Sequence, residues 1–147
     1  LPAIPRRFAL LAPLALAACA MHPAAPDAVK TAAGGIDWAQ AQSLTVKMMD
    51  FAYTPAHLDL KAGQPVKLTL VNDGSDLHDF SSPAFFAAAS YRQGSTVPAG
   101  GKIAVAKGQS AEIDLVPGAT GQYPLECTEF LHTLFGMTGT IAVSAAN

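Results

Sequence analysis

Residues 121–143 read Gly-Gln-Tyr-Pro-Leu-Glu-Cys-Thr-Glu-Phe-Leu-His-Thr-Leu-Phe-Gly-Met-Thr-Gly-Thr-Ile-Ala-Val. Cys127, His132 and Met137 fall at even intervals in the pattern Cys-x4-His-x4-Met. A strand-like run, Tyr123 to Cys127, leads in, and a second, Thr140 to Val143, leads out. The three side chains therefore belong to one loop between two strands. A thiolate, an imidazole and a thioether together suit a copper ion that cycles between Cu(I) and Cu(II). The set is one imidazole short, and that ligand must come from elsewhere in the chain.

Upstream, Asn72-Asp73-Gly74-Ser75 is a turn signal and is followed by Leu77-His78-Asp79-Phe80. A lone histidine in an apolar setting is ordinarily a hydrogen-bonded core residue. The ligand-bearing loop downstream reverses that reading and makes His78 the candidate fourth ligand. His57 lies on the polar phase of His57-Leu-Asp-Leu-Lys61 and reads as a surface residue. Met48 and Met49 are a candidate copper-collecting pair, but core filling is the simpler role for a flexible thioether.

Around these residues, apolar side chains alternate as a half-buried strand requires. Leu44, Val46 and Met48 form one such set. Val66, Leu68 and Leu70 form another, and Ile113 and Leu115 alternate with Glu112 and Asp114. Ile103 to Ala106 adds a further strand, whereas Tyr91 to Gly101 reads as loop. Short strands separated by turn signals argue for an antiparallel sandwich or barrel. About seven strands suit two packed sheets. Pro83 to Ser90 lacks alternation and is rich in Ala, which favours a short helical insertion.

Arg6 and Arg7 followed by the apolar run Phe8 to Ala18 have the form of a secretory signal, assigned to residues 1–18. Pro13 interrupts the run, which is also shorter than a membrane span of about 20 residues. Leu16-Ala17-Ala18-Cys19 resembles the lipobox of bacterial lipoproteins, in which the cysteine is lipidated. Residues 19–43, with Pro23, Pro26 and Gly34-Gly35, read as a tether. Within it, Trp38 is a candidate for packing on the domain, and Met21 and His22 are a weak copper-binding candidate of a kind that a tether of random composition often contains. The domain proper is assigned to 44–147, and the two cysteines are too different in context to form a disulfide. The expected location is the bacterial periplasm, anchored to the membrane through Cys19. With Arg6 and Arg7 in the leader, seven Lys and Arg remain against eleven Asp and Glu. That balance argues against nucleic-acid binding, which needs a basic footprint.

The segment from about Leu44 to Val143 resembles the cupredoxins, the small type 1 (blue) copper proteins that include azurin, plastocyanin and rusticyanin. The resemblance rests on Asn72-Asp-Gly-Ser-Asp-Leu-His78, then Tyr123-Pro-Leu-Glu-Cys127, the evenly spaced His132 and Met137, and Gly139-Thr-Ile141. It implies an all-β, two-sheet Greek-key sandwich. It also implies one type 1 copper ion with His78, Cys127 and His132 in the plane and Met137 axial. Leu125, Phe80 and Phe135 would form an apolar shell, and His132 would reach the surface in an apolar docking patch containing Leu131 and Leu134. Glu126, on the outward phase beside Cys127, is either a second docking site or an ordinary solvated carboxylate.

Two departures stand out. Many members carry Pro-Gly before the second histidine, where this chain has Phe130-Leu131. The residue after the first histidine is often Asn and here is Asp79. Its carboxylate is expected to accept hydrogen bonds near Thr128 and to lower the reduction potential.

The implied role is a non-enzymatic electron carrier whose partner is a cytochrome, reductase or oxidase. The alternative is a periplasmic copper-binding protein for tolerance, storage or delivery, working with another copper-handling protein. The pairing of His78 with Asp79-Phe80 also resembles exported cupredoxins linked to copper tolerance. A Cys/His nucleophilic enzyme would leave His78 and Met137 without a role, and a structural zinc site has no use for the methionine. A binuclear copper site needs a second cysteine on the loop, and multicopper oxidases need His-x-His pairs; neither is present.

Overall fold

The computed structural model describes residues 30–146. The signal segment, Cys19 and the Met21-His22 pair lie outside the described residues. Ten strands and one helix follow in order: β1 (Gln42–Met49), β2 (Ala52–Thr54), β3 (His57–Lys61), β4 (Val66–Asn72), β5 (His78–Ser81), α1 (Pro83–Ala88), β6 (Ser90–Tyr91), β7 (Lys102–Val105), β8 (Ser110–Val116), β9 (Gly121–Glu126) and β10 (Thr138–Ser144). They form two five-stranded sheets, ordered β2-β1-β4-β8-β6 and β3-β10-β9-β5-β7. The expected two-sheet β-sandwich with one short helix is what is found.

The alternation read in the sequence is the burial pattern of the strands. Val46 and Met48 of β1, Leu68 and Leu70 of β4, Ile113 and Leu115 of β8, and Ile141 and Val143 of β10 all face the space between the sheets. Their opposite faces are wet. Met48 is core and Met49 is exposed, so the pair does not form a joint thioether site.

Three expectations need correction. The sheets are mixed, because β1 pairs with β4 in parallel and β10 pairs with β3 in parallel. A parallel neighbour requires a crossover connection. Here the chain leaves β2, forms β3 in the other sheet, and returns as β4 beside β1. The strands number ten among the described residues and not about seven, because strands as short as β2 and β6 are too brief for periodicity to reveal them. Tyr91, read as loop, is a buried strand residue whose hydroxyl donates to the Phe86 carbonyl at 2.8 Å.

The described part of the expected tether rests on the sandwich. The Tyr91 N–H donates to the Lys30 carbonyl and the Ala32 N–H to the Tyr91 carbonyl, each at 2.8 Å. The Trp38 ring lies under the Arg92 guanidinium at 5.4 Å, an arrangement that favours cation–π attraction. Among the described residues no helix is long and apolar enough to cross a membrane.

Candidate metal centre

β5 delivers His78. The preceding turn is built by Asn72, which is fully buried and uses both amide hydrogens. Its Nδ2 donates to the carbonyls of Asp76 at 2.8 Å and Val105 at 2.7 Å. Its Oδ1 accepts from the Gly74 N–H at 2.9 Å, closing an Asx turn. Gly74 is required here for space. A Cβ at that position would stand 2.3 Å from His78 Nε2 and 2.7 Å from Asp50 Oδ1. Gly74→Ala is therefore expected to destabilise the domain by about 1–3 kcal/mol and to weaken copper binding by displacing the His78 ring. Urea unfolding and a copper titration measure the two effects.

β9 delivers Cys127. Its alternation turns Leu125 and Cys127 inward, and both are buried. The loop that follows closes on itself. Cys127 N–H donates to the Met137 carbonyl at 3.1 Å, and Met137 N–H donates to the His132 carbonyl at 2.9 Å. The Thr133 hydroxyl donates to the Cys127 carbonyl. Leu131 holds φ at 65°, a left-handed conformation that costs a non-glycine residue about 1–2 kcal/mol. The loop thus takes a positive φ immediately before His132 without the glycine that many relatives place there, and Leu131 carries the steric cost.

β5 and the loop after β9 bring His78, Cys127 and His132 together as a cluster able to hold a metal ion. His78 Nδ1 lies 3.2 Å from His132 Nδ1, Cys127 Sγ lies 3.4 Å from His132 Nδ1, and Sγ lies 4.0 Å from His78 Nδ1. Three ligands in a plane around a first-row metal, at about 2.0 Å for nitrogen and about 2.3 Å for sulfur, stand about 3.5–3.8 Å apart. The observed triangle brackets that spacing. Two imidazole nitrogens and a sulfur converge on one point, so the donor set fits a copper ion. Met137 is fully buried next to this triangle through its backbone bonds to Cys127 and His132.

The surroundings differ from the expected shell in one member. Phe80 and Leu125 are buried, but Phe135 is 61% exposed. Its N–H donates to the Leu131 carbonyl at 3.0 Å, and this tight turn leaves the ring outside. The aromatic neighbour of His132 is Phe51, with ring centroids 5.3 Å apart, and Phe51 also meets Phe135 at 5.4 Å. Around the half-buried His132, Phe130 is 85% exposed and Leu134 is 76% exposed. The expected apolar surface is present and larger than anticipated.

Asp79 is buried and satisfies its carboxylate locally. It accepts from the Thr128 N–H at 2.8 Å, from the Thr128 hydroxyl at 2.5 Å and from Lys102 Nζ at 3.2 Å. The expected tie to Thr128 is found, and Lys102 is an addition that sequence reading missed. Asp79 N–H also donates to Cys127 Sγ at 3.4 Å. Burial pushes the Cys127 thiol up from its ordinary value, and this backbone bond offsets part of that shift.

Asp50 and Phe51 were also missed. Asp50 Oδ1 lies 3.2 Å from His78 Nε2 and accepts from the Ser75 N–H at 2.8 Å. Its carboxyl is held below the ordinary range, first by the Ser75 backbone and side chain and less by His78. Neither residue carries a local sign of its role, because each acts across more than 20 residues of sequence. His57 is exposed on the far strand β3, as expected.

A mixed β-sandwich with two histidines and one cysteine converging between strands β5 and β9 defines a mononuclear metal-binding sandwich. The sequence matches the Cupredoxin-like domain family over residues 9–143, and the chain belongs to that family. Among solved structures it is similar to dithionite-reduced auracyanin from the photosynthetic bacterium Roseiflexus castenholzii, with 18% identity and a TM-score of 0.54 over 71% of this chain and 98% of that one. It is similar to auracyanin B at 25% identity and a TM-score of 0.54, over 71% of this chain and 90% of that one. A search of curated proteins finds no match. Family and cluster together fit a single copper ion and a protein of the copper electron-carrier kind.

Proposed function

We propose that this chain is an exported, non-enzymatic carrier that passes single electrons between redox partner proteins through one type 1 copper ion held by His78, Cys127, His132 and Met137. The observation that carries the reading is the buried Nδ1–Nδ1–Sγ triangle lying under a half-exposed His132 ring. Copper bound there would supply one-electron chemistry. His78 on β5 and Cys127 at the end of β9 are held by neighbouring strands of one sheet. Phe80 and Leu125 exclude water from the sulfur, which limits reorganisation and tunes the metal. The His132 edge, ringed by Phe130, Leu131 and Leu134, offers a short route to a docked partner. Full burial of Cys127 argues against an enzymatic nucleophile, because no substrate carbon reaches its sulfur.

The proposed location is the bacterial periplasm, with a lipid tether on Cys19, and the signal-like leader and the Leu16-Ala17-Ala18-Cys19 motif support it. One acyl chain holds a membrane only marginally, so firm anchoring needs more than one. Its expected partners are a cytochrome, a reductase or an oxidase. Stopped-flow mixing of the copper-loaded protein with a reduced c-type cytochrome tests the proposal. Rapid, reversible electron exchange is expected. No exchange, together with copper transfer to an acceptor apoprotein, would instead identify a copper tolerance or delivery protein.

A further inference from the structure

The turn between β1 and β2 touches both imidazoles of the cluster. Asp50 Oδ1 stands 3.2 Å from the outer nitrogen of His78, Nε2. Its neighbour Phe51 places its ring edge-on to His132, at 5.3 Å and 81°. Phe51 does so with φ at 63°, in the left-handed region that a residue with a bulky side chain rarely occupies. Such conformations persist where the surrounding structure over-determines them, and they cluster at functional sites. The turn is held from the other side by the Ser75 N–H, which donates to the same Asp50 oxygen at 2.8 Å. Gly74 leaves the gap into which the Asp50 carboxylate and the His78 ring both fit.

We propose that the Asp50-Phe51 turn is a positioning element for both histidine ligands, Asp50 setting the tautomer and orientation of His78 and Phe51 the ring plane of His132. The proposal rests on the reading of these rings as copper ligands. A carboxylate oxygen can only accept, so the hydrogen of a neutral His78 ring sits on Nε2 and the lone pair on Nδ1. That lone pair points at His132 Nδ1 and Cys127 Sγ. A carboxylate behind a metal-bound histidine fixes its tautomer and raises its basicity, and losing it typically weakens metal binding by about 10–100-fold. Phe51 has no polar atom to offer. Its contribution is steric and quadrupolar: an aromatic edge that leaves the His132 ring one preferred plane.

The test compares the wild type with Asp50→Ala, Asp50→Asn and Phe51→Ala, first without metal. Long-range nitrogen–proton NMR correlations of the histidine rings report the tautomer directly. The wild type and Asp50→Asn, which keeps the acceptor, are expected to show His78 as the Nε2–H form. Asp50→Ala is expected to show a mixture. With Cu(I), Asp50→Ala is expected to bind about 10–100-fold more weakly, and Asp50→Asn to recover most of that loss. Phe51→Ala is expected to broaden the His132 ring resonances in the metal-free protein while leaving the His78 tautomer unchanged.

An unchanged His78 tautomer and unchanged copper affinity in Asp50→Ala would overturn the Asp50 role. Unchanged His132 resonances in Phe51→Ala would overturn the Phe51 role. Should Asp50→Ala fail to fold, the metal-free wild type decides: His78 found as the Nδ1–H form would overturn the Asp50 role. A wild type that binds no copper would sink the copper reading, while the metal-free tautomer would still decide the Asp50 contact.

Discussion

Replacing Cys127 with serine is expected to abolish the thiolate-to-copper absorption and to reduce copper affinity by several orders of magnitude. Sγ is one of three donors in the triangle and its only soft one, whereas a serine hydroxyl is neither soft nor ionised at neutral pH. The fold should survive, because Cys127 and Ser differ little in volume and the loop is closed by backbone bonds from Cys127 and Met137. The same variant tests a proton count. Burial raises the Cys127 thiol, so the metal-free side chain is protonated at neutral pH, and a bound metal ion deprotonates it. Loading the wild type should therefore release a proton that the serine variant does not. Apparent copper affinity should fall about tenfold for each pH unit below the thiol value. Visible spectroscopy and a copper titration in unbuffered solution measure both. A serine variant with the wild-type spectrum would reject the ligand assignment.

Asp79→Ala is expected to cost the domain about 2–4 kcal/mol in urea unfolding. It removes two charge-assisted hydrogen bonds to Thr128, each worth a net of about 1.5–3 kcal/mol and less than additive because both end on one residue. The Lys102 pair adds little to this figure, because that ammonium is 44% exposed and solvent can replace its partner. The loss should also free the Cys127 loop from β5, lowering copper affinity. Asp79→Asn separates charge from structure: it can keep the Thr128 bonds and should raise the reduction potential by removing a negative charge beside the site. Lys102→Gln should move the potential the opposite way, since it leaves the Asp79 charge uncompensated. Opposite signs for the two variants are the expected result. A potential that does not rise in Asp79→Asn would count against a charge effect at this position.

The particular residues show how far a sequence can be read. His78, Cys127 and His132 were visible because their types are chemically restrictive and each sits beside a strand or turn with a local signature. Leu125 followed from alternation, which is a property of the backbone pleat, whereas Phe80 was expected only from the family resemblance. Phe135 was misplaced because its position depends on the hydrogen-bonded turns of a loop with no periodicity. Asp50, Phe51 and Lys102 carried no signal, since an acidic residue after Met49 or a lysine at a strand start is unremarkable until a partner appears opposite it.

By itself the sequence determined the types and spacing of the candidate ligands, the two-sheet β framework and the short helix, because donor softness and residue periodicity are local properties. Tertiary structure alone decided which strands run parallel, which side of the site is covered, and which groups hold the imidazoles from behind. Those features arise where segments more than 20 residues apart are packed together, as Asp50 is against His78 and Asp79 against Thr128. Side-chain contacts of that kind depend on distances through space, which spacing along the chain does not encode.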